Sequence, residues 1–314
     1  MTTVVFGEAL VDDFVTEQVV GGAPFNVARH LAAFLSPQLM ITRIGNDRNG
    51  AVVHAQFERF AMSDAGLQID KMEETGRVIV ERGTRGHRFT ILPGQAYDFI
   101  NPEQALSAID MVEPAALYFG TLAQRGPRSR DTLHALLDAT DATRFLDLNL
   151  RAGQFDERCV FHSLHAADIA KVNEEELQHL FGWYVDVRPA TSATSATSAT
   201  PMPAGEVRAA CAALVQMFAL QGLIVTLGHR GSVYFGADGH IVANRDNPAP
   251  PFVIDSVGAG DAFAAIFLLG RSRGWPLERT LARANEFAGA ICAVPGAVPR
   301  DLAFYDKWES LWRA

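Results

Sequence analysis

Asp255-Ser256-Val257-Gly258-Ala259-Gly260-Asp261-Ala262-Phe263 follows the loop Asn247-Pro248-Ala249-Pro250-Pro251 and runs into the apolar segment Ala264 to Leu269. Two glycines separated by one alanine let the backbone turn sharply with its N–H groups aimed one way, and the apolar run beginning at Ala262 then reads as a helix. The start of that helix is an anion site. The helix dipole favours the charged form of a carboxylate at Asp261, in the first turn, and makes it a candidate proton acceptor for a hydroxyl being phosphorylated. Taken alone, the same residues also read as an ordinary helix N-terminus that Asp261 merely caps, so the rest of the chain must decide.

Immediately before this stretch, Leu227-Gly228-His229-Arg230-Gly231 closes a strand over Leu223 to Leu227, and a hairpin opens at Ser232-Val233-Tyr234-Phe235 around Ala237-Asp238-Gly239. Gly228 is a candidate nucleotide contact. Upstream, strands are expected near Ala116 to Phe119, Arg144 to Asp147 and Asp168 to Val172, in a β-turn-α rhythm that implies parallel strands with crossover helices. In Asp147-Leu148-Asn149-Leu150-Arg151 the polar side chains alternate, which on an extended segment places them on one side. Arg151 can clamp a transferring phosphate. Asn173-Glu174-Glu175-Glu176 lies between a strand and a helix. Asn173 and Glu176 there either form a capping box or serve a hydrated magnesium ion.

Towards the N-terminus, Val4-Val5-Phe6-Gly7-Glu8 reads as a buried first strand with an acidic exit, followed by Asp12-Asp13. Asp12 is either a polyol contact or a solvated loop carboxylate. Gly21-Gly22-Ala23-Pro24-Phe25-Asn26 leads into a helix with Val27 and Leu31 on one face. Its glycines let a ligand approach the backbone, and Asn26 offers a donor and an acceptor to a hydroxyl, or a local cap. Leu39 to Ile44 is the next strand, and a helix is expected from about Ala51 to Met62. Arg77 to Glu81 and His87 to Ile91 flank Gly83-Thr84-Arg85-Gly86 as a hairpin, with Arg88 taken as a substrate-side contact.

Composition bounds the function. The 314 residues are 48% hydrophobic and 20% charged, with a formal net charge of -9 and no dense Lys/Arg stripe, so a nucleic-acid partner is not expected. Cys159, Cys211 and Cys292 are far apart and suit reduced thiols rather than a disulfide framework or zinc site. The start Met1-Thr2-Thr3-Val4-Val5-Phe6 has no basic region, so a signal peptide is not expected and the chain reads as cytoplasmic. The uncharged run Ala209 to Gly228 is interrupted by Gln216, Gln221 and Gly222 and parses as helix, turn and strand, not a membrane span. A Thr-Ser-Ala repeat marks residues 189–204 as a disordered surface insertion.

Together, Gly7-Glu8 with Asp12, Gly21-Gly22-Ala23-Pro24-Phe25-Asn26-Val27-Ala28, Gly45-Asn46-Asp47-Arg48-Asn49-Gly50, Asn173 to Glu176, Val225-Thr226-Leu227-Gly228 and Asp255 to Asp261 resemble the ribokinase-like (PfkB-type) carbohydrate kinases, the fructokinase branch most of all. Ser256 and Ala262 stand where many fructokinases have threonine and serine, and both keep the turn possible. The resemblance implies a single domain over 1–314: a three-layer α/β/α sandwich with a mostly parallel central sheet and a small β lid from strands at about 12–20 and 77–97. It implies an ATP-dependent kinase that phosphorylates fructose to fructose 6-phosphate, with another sugar, a sugar acid or a nucleoside as alternative acceptors and a non-catalytic sugar-binding relative as the contrasting class. It further implies Asp261 as base and Gly258, Ala259 and Gly260 as anion hole. Asp12, Gly22 and Asn26 would contact sugar; Arg88 and Arg151 are placed on the substrate side by the chain's own pattern. The lid residues Arg88, Phe89 and Gln95 match no fixed motif of the family, so the hexose assignment rests on one stretch. Asn173, Gly228 and Asn285 would lie at the nucleotide. Glu176 would serve magnesium through water, and Asp255, Val257 and the Ala290 to Gly296 loop would surround potassium. The implied partners are a sugar and ATP, with a homodimer through lid edges. A dinucleotide-binding oxidoreductase is disfavoured, since no Gly-x-Gly-x-x-Gly follows the first strand, and the P-loop lysine pattern is missing too.

Overall fold

The computed structural model describes residues 1–14, 18–83, 86–185, 204–245 and 252–313. The side chains of residues 81–89 and 204 are outside that description. Its strands are β1 (Thr2–Phe6), β2 (Leu10–Phe14), β3 (Gln18–Gly21), β4 (Gln38–Gly45), β5 (Leu67–Asp70), β6 (Gly76–Gly83), β7 (Gly86–Ile91), β8 (Pro114–Phe119), β9 (Thr143–Asp147), β10 (Ile169–Asn173), β11 (Gly222–Thr226), β12 (Ser232–Gly236) and β13 (Ile241–Asn244). The helices are α1 (Ala23–Ala33), α2 (Arg48–Arg59), α3 (Pro102–Ile109), α4 (Pro127–Asp138), α5 (Glu157–Ala166), α6 (Glu174–Tyr184), α7 (Ala204–Met217), α8 (Ala259–Ser272), α9 (Leu277–Ile291) and α10 (Ala303–Arg313).

The large sheet runs β13-β12-β11-β10-β9-β8-β1-β4-β5. The strands from β11 to β5 in that order are parallel, and only β12 and β13 are antiparallel. Period-two burial explains why both faces are covered. Val4, Phe6, Leu117, Leu146, Val172 and Leu223 pack towards α3, α4, α5, α6 and α7. Val5, Met40, Tyr118, Phe145, Ile169 and Ile224 pack towards α1, α2, α8, α9 and α10. Successive side chains on a strand point to opposite faces, so apolar runs rather than alternation mark strands covered on both sides. The three-layer α/β/α arrangement follows.

The chain grows outward from β1, first to β4 and β5 on one side, then to β8, β9, β10 and β11 on the other. Such a reversal leaves a crevice beyond the carboxyl ends of the central strands. The second sheet, β3-β2-β6-β7, stands over that crevice, with β2 and β6 parallel and its outer pairs antiparallel.

The expected hairpin is β6 paired with β7, and its turn residues Thr84 and Arg85 lie outside the described residues. Strand structure ends at Ile91, short of the expected 97, because Ala96–Phe99 forms a tight turn of helix with a capping box from Gln95 and Asp98. The second helix begins at Arg48 instead of Ala51, since Asp47 caps it by accepting from the Gly50 N–H at 2.7 Å. Residues 189–203 of the Thr-Ser-Ala insertion lie outside the described residues, and Ala204 opens α7. Within the uncharged run, α7 is followed by β11, and among the described residues no helix is long and apolar enough to cross a membrane.

Candidate active site

The turn before α8 is built by backbone conformation. Gly258 is the N-cap residue with φ 79°, and a Cβ there would stand 2.3 Å from the Cβ of Ala297. Only glycine satisfies both conditions without displacing the loop. Ala297 is itself fixed from behind: its carbonyl lies 3.2 Å from Nε2 of His30, whose Nδ1 is 2.8 Å from the Tyr305 hydroxyl on α10. Burial pushes His30 down to about 3, so this strut is uncharged.

Asp261 does not cap α8; no side chain caps this helix. Its Oδ2 accepts a hydrogen bond of 2.7 Å from Nδ2 of Asn26, across 235 residues of sequence. The contact follows from α1 packing on α8, two helices buried along most of their length. Arg29, one turn beyond Asn26 on α1, donates to Asn26 Oδ1 at 2.5 Å and to the Val20 carbonyl at 3.0 Å. An arginine can only donate, so the Asn26 oxygen must face it and the NH₂ must face Asp261. The guanidinium also stacks over Phe25, 4.8 Å from the ring centroid.

Electrostatics correct the sequence reading of Asp261. From spacing, the helix dipole is expected to favour its charged form, yet burial is the largest influence and raises its pKa above the usual aspartate value. The Asn26 hydrogen bond and the charges of Arg151 and Lys171 oppose that rise, and Asp147 adds to it. A carboxylate of raised basicity suits proton abstraction better than an ordinary one.

Asp261, the turn at 258–260, Asp12, Gly22, Asn26, Arg151, Asn173, Glu176, Gly228, Asp255, Val257 and Asn285 all line one cleft of about 1580 Å³. Arg88 sits on β7 opposite Glu81, and its side chain lies outside the described residues. At the end beneath the small sheet, Asp12 lies against Gly21, and burial pushes its carboxyl up to about 6 against the pull of Arg151 and Arg29. Gly22, at φ 103°, meets the Glu8 carbonyl so closely that a Cβ would fall 2.5 Å from it. Val78, Val80, Ile91 and Leu122 add an apolar wall.

At the other end, Asn173 and Glu176 form the expected capping box of α6. Glu176 Oε2 accepts from the Asn173 N–H at 2.8 Å, and Oε1 accepts from the Leu150 N–H at 2.9 Å. The structural reading of this pair is thus realised, and both residues still face the cleft. Gly228 occupies a short helical turn after β11, at φ 59°. Asn285 is engaged by protein, its amide donating to Ser232 Oγ, Asn244 Oδ1 and the Leu281 carbonyl. Segment 254–258 is tied to the loop after α9, with the Ile254 and Asp255 N–H groups donating to the Cys292 carbonyl and Val257 N–H to Asp255 Oδ1. The stretch 147–151 is not extended beyond β9: Asn149 has φ 42°, a left-handed bend. Asp147, Asn149 and Arg151 reach the cleft regardless.

Three charged residues there are not named as site residues from the sequence. Glu8 is buried on the cleft wall, and loss of solvation pushes it up to about 7. Arg29 lies on the same helical face as Asn26 in the sequence, a signal that spacing alone could raise. Lys171, inside the apolar strand Ile169-Ala170-Lys171-Val172, pairs with Asp147 at 2.8 Å. A lone lysine in a buried strand is itself the signal, because such a charge is rarely tolerated without a partner.

Among the described residues no group of three or more His, Cys, Asp or Glu side chains is placed to hold a metal ion.

The model of the family described as pfkB family carbohydrate kinase matches residues 6–301. The chain is 28% identical to a fructokinase of Klebsiella pneumoniae over 287 residues, covering 85% of this chain and 83% of that one. Among solved structures it is similar to a fructokinase double mutant from Vibrio cholerae O395 in fructose, ADP and potassium ion bound form (TM-score 0.75, 24% identity, 97% of each chain). It is similar also to the aminoimidazole riboside kinase of Salmonella enterica complexed with aminoimidazole riboside and an ATP analog (TM-score 0.73, 21% identity, 99% of each chain). The cleft geometry and a family match spanning nearly the whole sequence agree: this chain belongs to the pfkB family of carbohydrate kinases.

Proposed function

We propose that this chain transfers the terminal phosphoryl group of ATP to a hydroxyl of a small sugar, with fructose to fructose 6-phosphate as the leading reaction. The observation that carries the reading is Asp261, a buried carboxylate of raised basicity held by Asn26 at the N-terminus of α8. Its proton acceptor role requires a hydroxyl beside it, and the acceptor end of the cleft presents the side chains a polyol needs. Asp12 accepts, Asn26 both donates and accepts, Arg151 donates, and Gly22 permits close approach.

In the reaction Asp261 takes the hydroxyl proton as that oxygen forms its bond to the terminal phosphorus, and the bond to the bridging oxygen breaks to release ADP. The N–H groups of Gly258, Ala259 and Gly260 receive the charge that develops on the phosphoryl oxygens. Asn173, Gly228 and Asn285 line the nucleotide end. Magnesium travelling with the phosphates would neutralise their charge, its waters meeting the lone pairs that Glu176 keeps after its two backbone hydrogen bonds. Asp255, Val257 and the loop to Gly296 would hold a potassium ion beside the anion hole. We read residues 1–314 as one catalytic domain whose small sheet closes over the sugar and excludes water, a competing acceptor.

Acceptor identity rests on the Gly-Gly-Ala-Pro-Phe-Asn stretch and on fructokinase relatives, and ribosides or sugar acids are the alternatives. The test is a coupled ADP-release screen over ketoses, aldoses, sugar acids and nucleosides. The expected result is the highest kcat/KM on fructose; a higher value on a riboside moves the acceptor assignment, and no ADP release on any acceptor overturns the kinase reading.

A further inference from the structure

Lys171 stands where the proposed reaction most needs a fixed positive charge. On β10, Ile169 and Lys171 point to the α8 side while Ala170 and Val172 point away. The Lys171 side chain is 6% exposed and that of Asp147 is 2% exposed, and Nζ donates to Asp147 Oδ1 at 2.8 Å. The other Asp147 oxygen accepts from the Tyr118 hydroxyl at 3.2 Å, so the carboxylate is held from both sides. A Cβ placed on Gly260 would be 3.4 Å from Lys171 Nζ: the ammonium lies directly against the anion-hole turn.

An ammonium has three donors, and Asp147 is the only hydrogen-bond partner of the Lys171 side chain among the described residues. A buried ion pair generally adds little stability compared with apolar side chains of similar volume, so packing alone gives no reason for this one. Its position does. We propose that Lys171 contacts the phosphoryl group in transfer, with Asp147, itself steadied by Tyr118, aiming the ammonium at the space above Gly260. The inference rests on the kinase reading and deepens it: backbone N–H groups bind the phosphoryl group from the α8 side, and Lys171 binds it from the β10 side. A cation fixed on the protein needs no reorganisation as charge builds on the phosphoryl oxygens.

The experiment compares wild type, Lys171→Met and the double variant Asp147→Asn/Lys171→Met in steady-state kinetics and thermal melting. It adds calorimetric titration of ADP with and without aluminium fluoride, a mimic of the phosphoryl group, in the presence of the preferred sugar. Lys171→Met is expected to lower kcat by about 10²- to 10³-fold, the range for loss of one transition-state donor. The sugar KM should stay within about threefold, because ground-state sugar binding does not use this charge. Affinity for ADP alone should hold, while the tightening produced by aluminium fluoride disappears. Lys171→Met leaves Asp147 buried and unpaired and so lowers the melting temperature. The double variant removes both charges and should recover the melting temperature without recovering turnover. Recovery of near wild-type turnover in the double variant, or aluminium-fluoride tightening that survives in either variant, overturns the proposal and leaves Lys171 as a mere counter-charge to Asp147. Wild-type protein with neither ADP release nor tightening overturns the kinase reading together with this one.

Discussion

The two ends of the cleft are made from different materials. The end that we propose holds phosphate belongs to the large sheet and its helices: a turn whose geometry is fixed by Gly258 against Ala297, a helix N-terminus, and a capping box whose Glu176 accepts from the Asn173 N–H and also from the Leu150 N–H. The acceptor end is assembled from side chains on separate pieces, with Glu8 after β1, Asp12 on β2, Asn26 and Arg29 on α1, Arg151 beyond β9, and apolar walls from β6 and β7. On the proposed reading, backbone and buried charge serve chemistry that is the same for every acceptor, whereas side chains drawn from separate elements can vary without disturbing that chemistry. Asp261 and Asn26 are the seam, joining the two ends through one hydrogen bond.

The largest expected effect breaks the seam. Asp261→Asn keeps the size of the side chain and removes the base, so kcat should fall by about 10²- to 10⁴-fold. Sugar affinity, measured by fluorescence or calorimetric titration, should change little. Near-normal turnover would mean that another group takes the proton and that the two ends are not joined here.

Next in size is a change confined to the phosphate end. Gly258→Ala puts a Cβ 2.3 Å from that of Ala297 at a residue with φ 79°, so the turn must shift and its N–H groups must lose their aim. Turnover should drop by about 10²-fold, the scale of a lost anion-hole donor. The melting temperature should fall by an amount equivalent to about 1 to 3 kcal/mol, as for overpacking in a tight site. Steady-state kinetics and a thermal melt check both parts.

At the acceptor end the signature should be opposite. Asp12→Ala removes an acceptor beside Gly21 without touching the turn, and loss of a hydrogen bond to a charged group is worth about 1.5 to 3 kcal/mol. The sugar KM should rise by about 10- to 100-fold with the ATP KM unchanged and kcat far less affected. A matching fall in kcat with an unaltered sugar KM would place Asp12 among the groups serving the phosphoryl transfer.

The same contrast explains what the sequence discloses. The order of strands and helices is legible because central strands such as Val4-Val5-Phe6 and Leu223-Ile224-Val225 are continuous apolar runs broken by turn residues, a local signal. The Gly258–Gly260 turn and the Asn173–Glu176 box are legible for the same reason: each is a short-range device written in consecutive residues. Arg29, Glu8 and Lys171 leave only local hints, a helical neighbour of Asn26, an acidic strand exit and a lone lysine in an apolar strand, because their partners lie on elements far apart in sequence. Asn26 and Asp261 are 235 residues apart, and only the packing of α1 on α8 turns two helix-start residues into a pair. The rise in Asp261 basicity is hidden for a related reason: a helix dipole can be inferred from spacing, whereas burial depends on everything packed around the group.

The smallest expected effect concerns the cost of holding carboxylates at the acceptor end. Glu8 is raised by burial from an ordinary 4.5 to about 7, and Asp12 from 3.8 to about 6. A carboxyl raised on folding binds its proton more tightly in the folded chain than in the unfolded one. Its favourable contribution is fully present below the unfolded value and is lost as pH rises through the folded value. Stability contributed by Glu8 should therefore decline between about pH 4.5 and pH 7. The loss is at most about 3 kcal/mol, and less wherever the site relaxes or admits water. Because other groups titrate in the same range, the informative quantity is a difference between two proteins. Glu8→Gln cannot ionise, so its melting temperature relative to wild type should rise with pH across this window and level off above it. Asp261, as the proposed base, should act on rate instead: its raised pKa should place the acid limb of kcat/KM above the ordinary aspartate value of 3.8. The charges of Glu8 and Asp261 repel, so Glu8→Gln should lower that limb slightly while burial keeps it above the ordinary aspartate value. If the variant returns the limb to the ordinary value, the Glu8 charge and not burial sets the basicity of Asp261, and the division between the two ends fails.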